Sequence, residues 1–410
     1  MAANEAWIID AVRSPRGIGK RDKGALSGLH PQKILGQVLN GLRDRVGFDP
    51  ADVEDVVCGN GSNAGDHAHD IGRMAVLDAG WPISVPGVTL NRFCGSGQQA
   101  VTFGAMGIAA GHQDLVVGCG VESMSRPARN GTDGFHANNE RLLANHPQVP
   151  QGLSADLIAT IDGASREDCD ALGLESQRRA ATAIAEGRFE RSLIPIHHDD
   201  GTLALAEEEY PRPETTAEGL AALNPSFAKM VDLKMEQTEL TMAELVDQKY
   251  PGVTLQHVHH AGNSSGVVDG AGAVLLASPR YAEANGLTPR ARIVMSAVAA
   301  DEPLIMLTAP GPAARKCLDK AGMTVDDIDL FEVNEAFASV VLRFLGDTGA
   351  PPDKVNVNGG AIALGHPIGA TGAMLLGTIV DELERRDLQT GLVAMCTGGG
   401  MGTATIVERL

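Results

Sequence analysis

The feature that most constrains the fold is an internal repeat. The order strand, helix, strand, strand, glycine turn, helix, strand runs through Ala6–Val12, Pro31–Val46, Val53–Cys58, Val85–Leu90, Gln98–Ala110 and Asp114–Val121. The same order returns in Arg292–Ala297, Gly311–Ala321, Asp326–Val333, Lys354–Val357, Ala370–Leu383 and Leu392–Cys396. Landmarks such as Asp55-Val56-Val57 and Asp329-Leu330-Phe331 recur about 270 residues apart. Short β-branched runs alternating with amphipathic stretches predict an α/β protein with largely buried strands, built as two similar halves. A closing strand at Ala404–Glu408 follows almost at once in the second half. Its counterpart, Ala273–Ser278, comes only after an excursion from about Ser123 to Ser265. Structureless loops of that length are rare in compact domains, so the excursion reads as an inserted domain. The expected division is 1–122 completed by 266–288, an insertion at 123–265, and a second half at 289–410.

With 33 Lys and Arg against 52 Asp and Glu, the net charge of −19 disfavours nucleic acid and anionic membrane as partners. An anionic ligand then needs a local basic site. No run of about twenty apolar residues reads as a membrane span, and Met1-Ala2-Ala3-Asn4-Glu5 lacks the character of a signal peptide. The terminal Glu408-Arg409-Leu410 is no peroxisomal address, so a cytoplasmic location is expected. Six Cys at irregular spacing, without CxxC, fit a reducing compartment and neither a disulfide framework nor a zinc site.

Four segments carry candidate chemistry. Asn91-Arg92-Phe93-Cys94-Gly95-Ser96-Gly97 places Cys94 at a strand-to-helix turn, where the positive end of the helix should favour thiolate. Asn358–Gly372 places His366 at the corresponding turn of the second half, so pseudo-symmetry would bring thiol and imidazole toward one cleft. This glycine run lacks the GK[ST] of a phosphate loop. Cys396-Thr397-Gly398-Gly399-Gly400-Met401-Gly402 ends the matching strand with a second thiol. Glu332–Ala338 offers Asn334, a neutral group able to orient water or a carbonyl. Cys58, Cys119, Cys169 and Cys317 read as small packing residues, and His257, His259, His260 and His197-His198 as polar loop without metal spacing.

Through NRFCGSG, NEAFA, GGAIALGHPIGATG and CTGGGMG, in that order, the chain resembles the thiolase family over essentially its whole length. The resemblance implies two pseudo-symmetric βαβαβαββ halves in a layered αβαβα arrangement with an inserted loop domain. It implies that Cys94 is the acylated nucleophile, His366 its base, and Cys396 the acid and base for the second substrate. It also implies one oxyanion hole from Asn334, through a water, with His366, and another from the N–H groups of Cys94 and Gly398. Coenzyme A and acyl-CoA enter as substrates rather than as a tightly bound cofactor, and no metal is expected. Ala261, Gly262 and Ser265 match the family's pantetheine turn, and Arg212 looks like its CoA arginine. A homodimer or homotetramer is expected.

Two segments depart from short-chain thiolases. Gln151-Gly152 stands where they carry Met-Gly, and Met306–Pro312 replaces a Met-Gly-x-Gly-Pro turn, so acyl preference does not transfer. Between Phe227 and His260 lie roughly two dozen extra residues with Met230, Leu233, Met235, Leu240 and Leu245 at helical spacing, predicting an amphipathic helix near the acyl tunnel. The rival readings are a decarboxylating ketoacyl synthase, which has no need of Cys396, and a non-catalytic acyl-CoA or lipid carrier, which has no need of Cys94.

Overall fold

The computed structural model describes residues 5–126, 139–235 and 238–410. The chain begins with β1 (Trp7–Arg13), β2 (Gly17–Ile18), α1 (Pro31–Val46), β3 (Asp55–Gly59), α2 (Ile71–Asp78), β4 (Val88–Leu90), α3 (Ser96–Ala109) and β5 (Leu115–Ser123). The excursion then forms α4 (Glu140–Asn145), α5 (Gln151–Asp162), α6 (Arg166–Ala185), β6 (Ile196–His197), β7 (Leu203–Leu205), α7 (Ala217–Ala221) and α8 (Met242–Lys249). After β8 (Val268–Ala277) and α9 (Pro279–Ala284) come β9 (Ala291–Ala300), α10 (Pro310–Ala321), β10 (Leu330–Val333) and α11 (Ala338–Thr348). The chain ends with α12 (Ala361–Leu364), α13 (Thr371–Arg386), β11 (Thr390–Thr397) and β12 (Met401–Arg409).

The repeat in sequence is a repeat in topology. One half orders its strands β4-β3-β5-β8-β1 and the other β10-β11-β12-β9, with Val355 bridging Phe331 where β4 would have its counterpart. The strands beside the closing one pair in parallel, β4 with β3 and β3 with β5 in the first half and β10 with β11 in the second, and the closing strand returns antiparallel. Pairing of Trp7 with Arg292 and Ile8 with Ala291 joins the halves into one ten-stranded sheet.

Alternation along the strands sets the layers. On β5, Leu115, Val117 and Cys119 share a core with α1 and α2, whereas Val116 packs with Ala100, Val101 and Ile108 of α3. On β11, Leu392 and Ala394 pack with α10 and α11, and Val393 and Met395 with Leu376 and Ile379 of α13. Helices α3 and α13 therefore form a central layer between the two halves of the sheet, each covered outside by further helices. Every residue of α13 from Thr371 to Val380 is buried, as a helix with protein on all sides must be.

Sequence reading and structure differ in places. Val85 is buried in a turn bounded by Pro82 and Pro86, and the ladder starts only at Val88. The short helices α2 and α11 were not anticipated; α2 has eight residues, too few for a clear period. The segment 229–256 does not form one amphipathic helix. It contains a 3₁₀ turn at Ala228–Met230 and α8, whose start is fixed by a Thr241–Glu244 capping box. Met235 and Leu245 are buried but Leu233 is exposed, so the helical spacing did not correspond to one face.

The central helices meet at glycine. A Cβ on Gly372 would lie 2.2 Å from the Gln98 nitrogen, one on Gly97 2.6 Å from the Gly369 oxygen, and one on Gly120 2.1 Å from that same oxygen. Gly372→Ala should therefore force α3 and α13 apart and destabilise the protein by about 1–3 kcal/mol. Gly28→Ala, whose Cβ meets nothing within 4 Å, should stay within about 0.5 kcal/mol of wild type. Thermal unfolding of the two variants checks this, and equal midpoints would contradict it.

Candidate active site

Cys94 lies in the turn from β4 to α3, one residue after Phe93, which adopts a left-handed φ of 49°. The turn holds that strain with local hydrogen bonds. The Phe93 N–H donates to Asn91 Oδ1 (2.7 Å), Ser96 Oγ donates to the Phe93 carbonyl (2.6 Å), and the Arg92 N–H donates to Ser96 Oγ (2.9 Å). Only 5% of Cys94 is exposed. Burial pushes its thiol up to about 11, although the Gly398 N–H and the Gln151 side chain both hydrogen-bond the sulfur and pull the other way. The expectation of a helix-stabilised thiolate is thereby corrected: desolvation outweighs the helix terminus, and the resting group is a thiol.

His366 lies in the turn leading to α13. Its N–H donates to the Gly266 carbonyl (2.8 Å), Nδ1 is 2.6 Å from Thr371 Oγ1, and Nε2 is 3.4 Å from Asn334 Nδ2. Burial, followed by the Arg16 charge, lowers His366 to about 3, so the imidazole is neutral near pH 7. Asn334 extends β10 through its N–H to the Ala394 carbonyl (3.0 Å). Its Oδ1 is buried and finds no partner among the described residues. Cys396 is the penultimate residue of β11 and has no exposed surface, and burial, then the neighbouring Cys94, raises its thiol well above the usual range. Gly399 and Gly400, both at φ 78°, turn the chain beyond it and leave Gly398 on the Cys94 sulfur.

These turns are held together by a residue that sequence reading missed. Glu122, wholly buried at the end of β5, accepts the Gly61 N–H (2.8 Å) and the Gly369 N–H (2.9 Å) on one oxygen. It thus ties the His366 turn to the first half. A buried acid closing an otherwise apolar strand was the available signal. Gln151 had been noted as a departure from the short-chain pattern, but its contact with Cys94 was not legible.

The four expected coenzyme contacts separate. Arg212, Ala261 and Gly262 line a cleft of about 240 Å³ with Tyr210, Thr215 and Leu220. The Arg212 guanidinium lies 5.5 Å from the Tyr210 ring centre. Ser265 is not among the lining residues; its N–H donates to the Ala336 carbonyl (2.9 Å), beside the Asn334 motif. The His257–His260 stretch, read as polar loop, is largely interior. His257 and His259 pair with Asp156 (2.8 and 2.7 Å) and His260 with Asp170 (2.7 Å). All six Cys are buried and unbridged. Among the described residues no helix is long and apolar enough to cross a membrane.

Comparison with known proteins matches residues 6–232 to the family description "Thiolase, N-terminal domain" and residues 287–409 to "Thiolase, C-terminal domain". A steroid 3-ketoacyl-CoA thiolase of Mycobacterium tuberculosis is 42% identical, with 99% of this chain and 94% of the relative aligned. A beta-ketoadipyl-CoA thiolase of Pseudomonas aeruginosa is 38% identical over all of both chains. Among solved structures, human mitochondrial 3-ketoacyl-CoA thiolase in complex with CoA superposes with a TM-score of 0.84 at 32% identity, covering 100% of this chain and 99% of that one.

A thiol raised to about 11 predicts the pH course of its alkylation. Only the thiolate reacts, so the rate of Cys94 with iodoacetamide should rise about tenfold per pH unit from neutrality to about pH 10. Mass mapping of the modified Cys94 peptide measures it. A plateau reached below pH 8 would contradict a protonated resting state.

Proposed function

This chain belongs to the thiolase family of acyltransferases, and from that premise we propose that it moves an acyl group between CoA thioesters through an acyl-Cys94 intermediate. The observation that carries the reading is a buried pair of thiols, a protonated Cys94 beside Cys396 with the Gly398 N–H on its sulfur, together with a neutral, buried His366 in the turn whose Gly369 carbonyl meets Gly97.

In the degradative direction Cys94 attacks the 3-keto carbonyl of a 3-ketoacyl-CoA while its proton passes to His366. The N–H groups of Cys94 and Gly398 receive the oxyanion. The bond between C2 and C3 then breaks, leaving the shortened acyl group on Cys94 and the enolate of acetyl-CoA, to which Cys396 returns a proton. Free CoA next attacks the acyl-enzyme, releasing the shortened acyl-CoA and restoring the Cys94 thiol. Synthesis runs these steps backward, with Cys396 removing the weakly acidic proton of acetyl-CoA. A thiol held well above its usual pKa gives a strong base once ionised, which suits a carbon acid. The enolate oxygen is stabilised by His366 and by a water on Asn334, whose orphan Oδ1 supports a water there. CoA itself lies along the Arg212, Ala261 and Gly262 cleft, with pantetheine passing Ser265 toward Cys94.

Purified protein should cleave acetoacetyl-CoA with free CoA, measured by loss of the enolate absorbance. Cys94→Ala should abolish turnover, and Cys396→Ser should lower kcat by about 10²–10⁴. Full activity in Cys396→Ser would favour a decarboxylating synthase. No turnover on any of a series of 3-ketoacyl-CoA esters would sink the reading.

The insertion at 229–256 selects the acyl group. Met235, Leu245 and Val246 share one apolar cluster with Leu304–Leu307, Phe337 and Cys396, so the insertion roofs the reacting end of the site. Tyr250 also donates to Glu302 Oε2 at 3.4 Å, at the start of the Met306 segment. The protein works as a homodimer or homotetramer. In support, the outer edge of β4 is unpaired among the described residues, and Met74 and Leu77 of α2 and Phe103 and Met106 of α3 are exposed, an apolar surface that a second copy would cover. Replacing Lys229–Gln256 with a short Gly/Ser linker, with sedimentation matching the wild-type oligomer, should change kcat/KM unequally across acyl lengths. A uniform loss, or none, would remove the insertion from substrate selection.

A further inference from the structure

The interior side of the His366 ring carries a constraint that the proposed mechanism needs but does not supply. Nδ1 lies 2.6 Å from Thr371 Oγ1, and that hydroxyl lies 2.9 Å from the Pro367 carbonyl one helical turn back. Thr371 is 1% exposed and His366 5%, so bulk water does not compete for either group. A hydroxyl has one proton. If it goes to the Pro367 carbonyl, which has none to offer, Oγ1 is left to accept from the ring, and Nδ1 must carry the hydrogen. The other side of the ring agrees. Nε2 faces Asn334 Nδ2 at 3.4 Å, where an unprotonated nitrogen accepts and a protonated one would oppose a second donor.

We propose that Thr371 is a positioning residue that holds the His366 proton on Nδ1, so that Nε2 presents its lone pair to the thiol it deprotonates. The inference rests on the reading of His366 as the base. A ring free to move its proton to Nε2 would turn a donor toward Cys94 and lose the acceptor on which acylation depends. Once Nε2 has taken the thiol proton, the imidazolium keeps its Nδ1–H on Thr371, so the same contact serves before and after transfer.

The sequence shows why threonine suits the position. Thr371 is the first residue of α13, where its hydroxyl reaches back to the turn carrying His366, five residues earlier. Gly372 follows at the close approach to Gln98. The ring is thereby anchored to the same helix terminus that joins the two halves.

The test uses ¹⁵N-histidine-labelled full-length protein with three variants. His366→Asn identifies the His366 resonances by their loss, Thr371→Val keeps the shape without the hydroxyl, and Thr371→Ser keeps the hydroxyl. Wild type and Thr371→Ser should show an Nδ1-protonated ring and acylate from acetyl-CoA within about threefold of each other. Thr371→Val should gain Nε2-protonated ring and slow single-turnover acylation about 10–100-fold, while thermal unfolding and the substrate dependence stay near wild type. A wild-type ring protonated on Nε2 overturns the proposal. So does a Thr371→Val protein with unchanged tautomer, whatever its rate. If wild type fails to acylate, the proposed function falls while the resonances still decide the tautomer.

Discussion

Everything about this site depends on how closely two helices approach. The ends of α3 and α13 that carry the two turns touch backbone to backbone because Gly97 and Gly372 leave no Cβ between them, and Gly120 and Gly369 let the His366 turn close on β5 in the same way. Cys94 precedes one helix and His366 the other, so the contact that closes the central layer also brings the two turns together. Glu122 then fixes the remaining freedom by accepting N–H groups from both halves. The surrounding architecture of the sheet's two halves and outer helices supplies the apolar burial that keeps this polar contact dry, with a fully buried aliphatic side chain contributing about 1.5–3 kcal/mol.

Dryness decides the resting electrostatics. Cys94 rises to about 11 and His366 falls to about 3, because each would be ionised without solvent. The pair therefore rests as thiol and imidazole, and in the proposed mechanism charge is created only when an acyl carbonyl arrives to share it. The groups assigned there to meet that charge are backbone N–H donors and an amide, which do not titrate. Cys396, raised further by burial and by Cys94, suits the carbon acid which that mechanism gives it.

Much of this was legible in the chain because the repeat states it twice. Strand runs and glycine turns recur in order, so the pseudo-symmetric layout followed from register alone. What escaped was tertiary. Glu122 acts through Gly61 and Gly369, partners that no local pattern names, and the Gln151 contact spans 57 positions from Cys94. The thiolate expectation failed because a helix terminus is visible in sequence whereas desolvation is not. The 229–256 segment misled for a similar reason: of its apolar residues at helical spacing, Met235 is buried from a loop and Leu245 from one short helix, while Leu233 is exposed. The expected Lys354–Val357 strand shrank to isolated bridges at Val355 and Val357 because its start turns through a 3₁₀ segment at Pro352–Lys354.

The central claim is that the glycine-packed turns make Cys94, and not Cys396, the sulfur that carries the acyl group. Acid-quenching the enzyme within one turnover of acetyl-CoA, digesting it and mapping thioesters by mass tests this most directly. The account predicts an acetyl group on the peptide containing Cys94 and none on the peptide containing Cys396. Acetyl on Cys396 alone, or acyl transfer without any protein thioester, would contradict it.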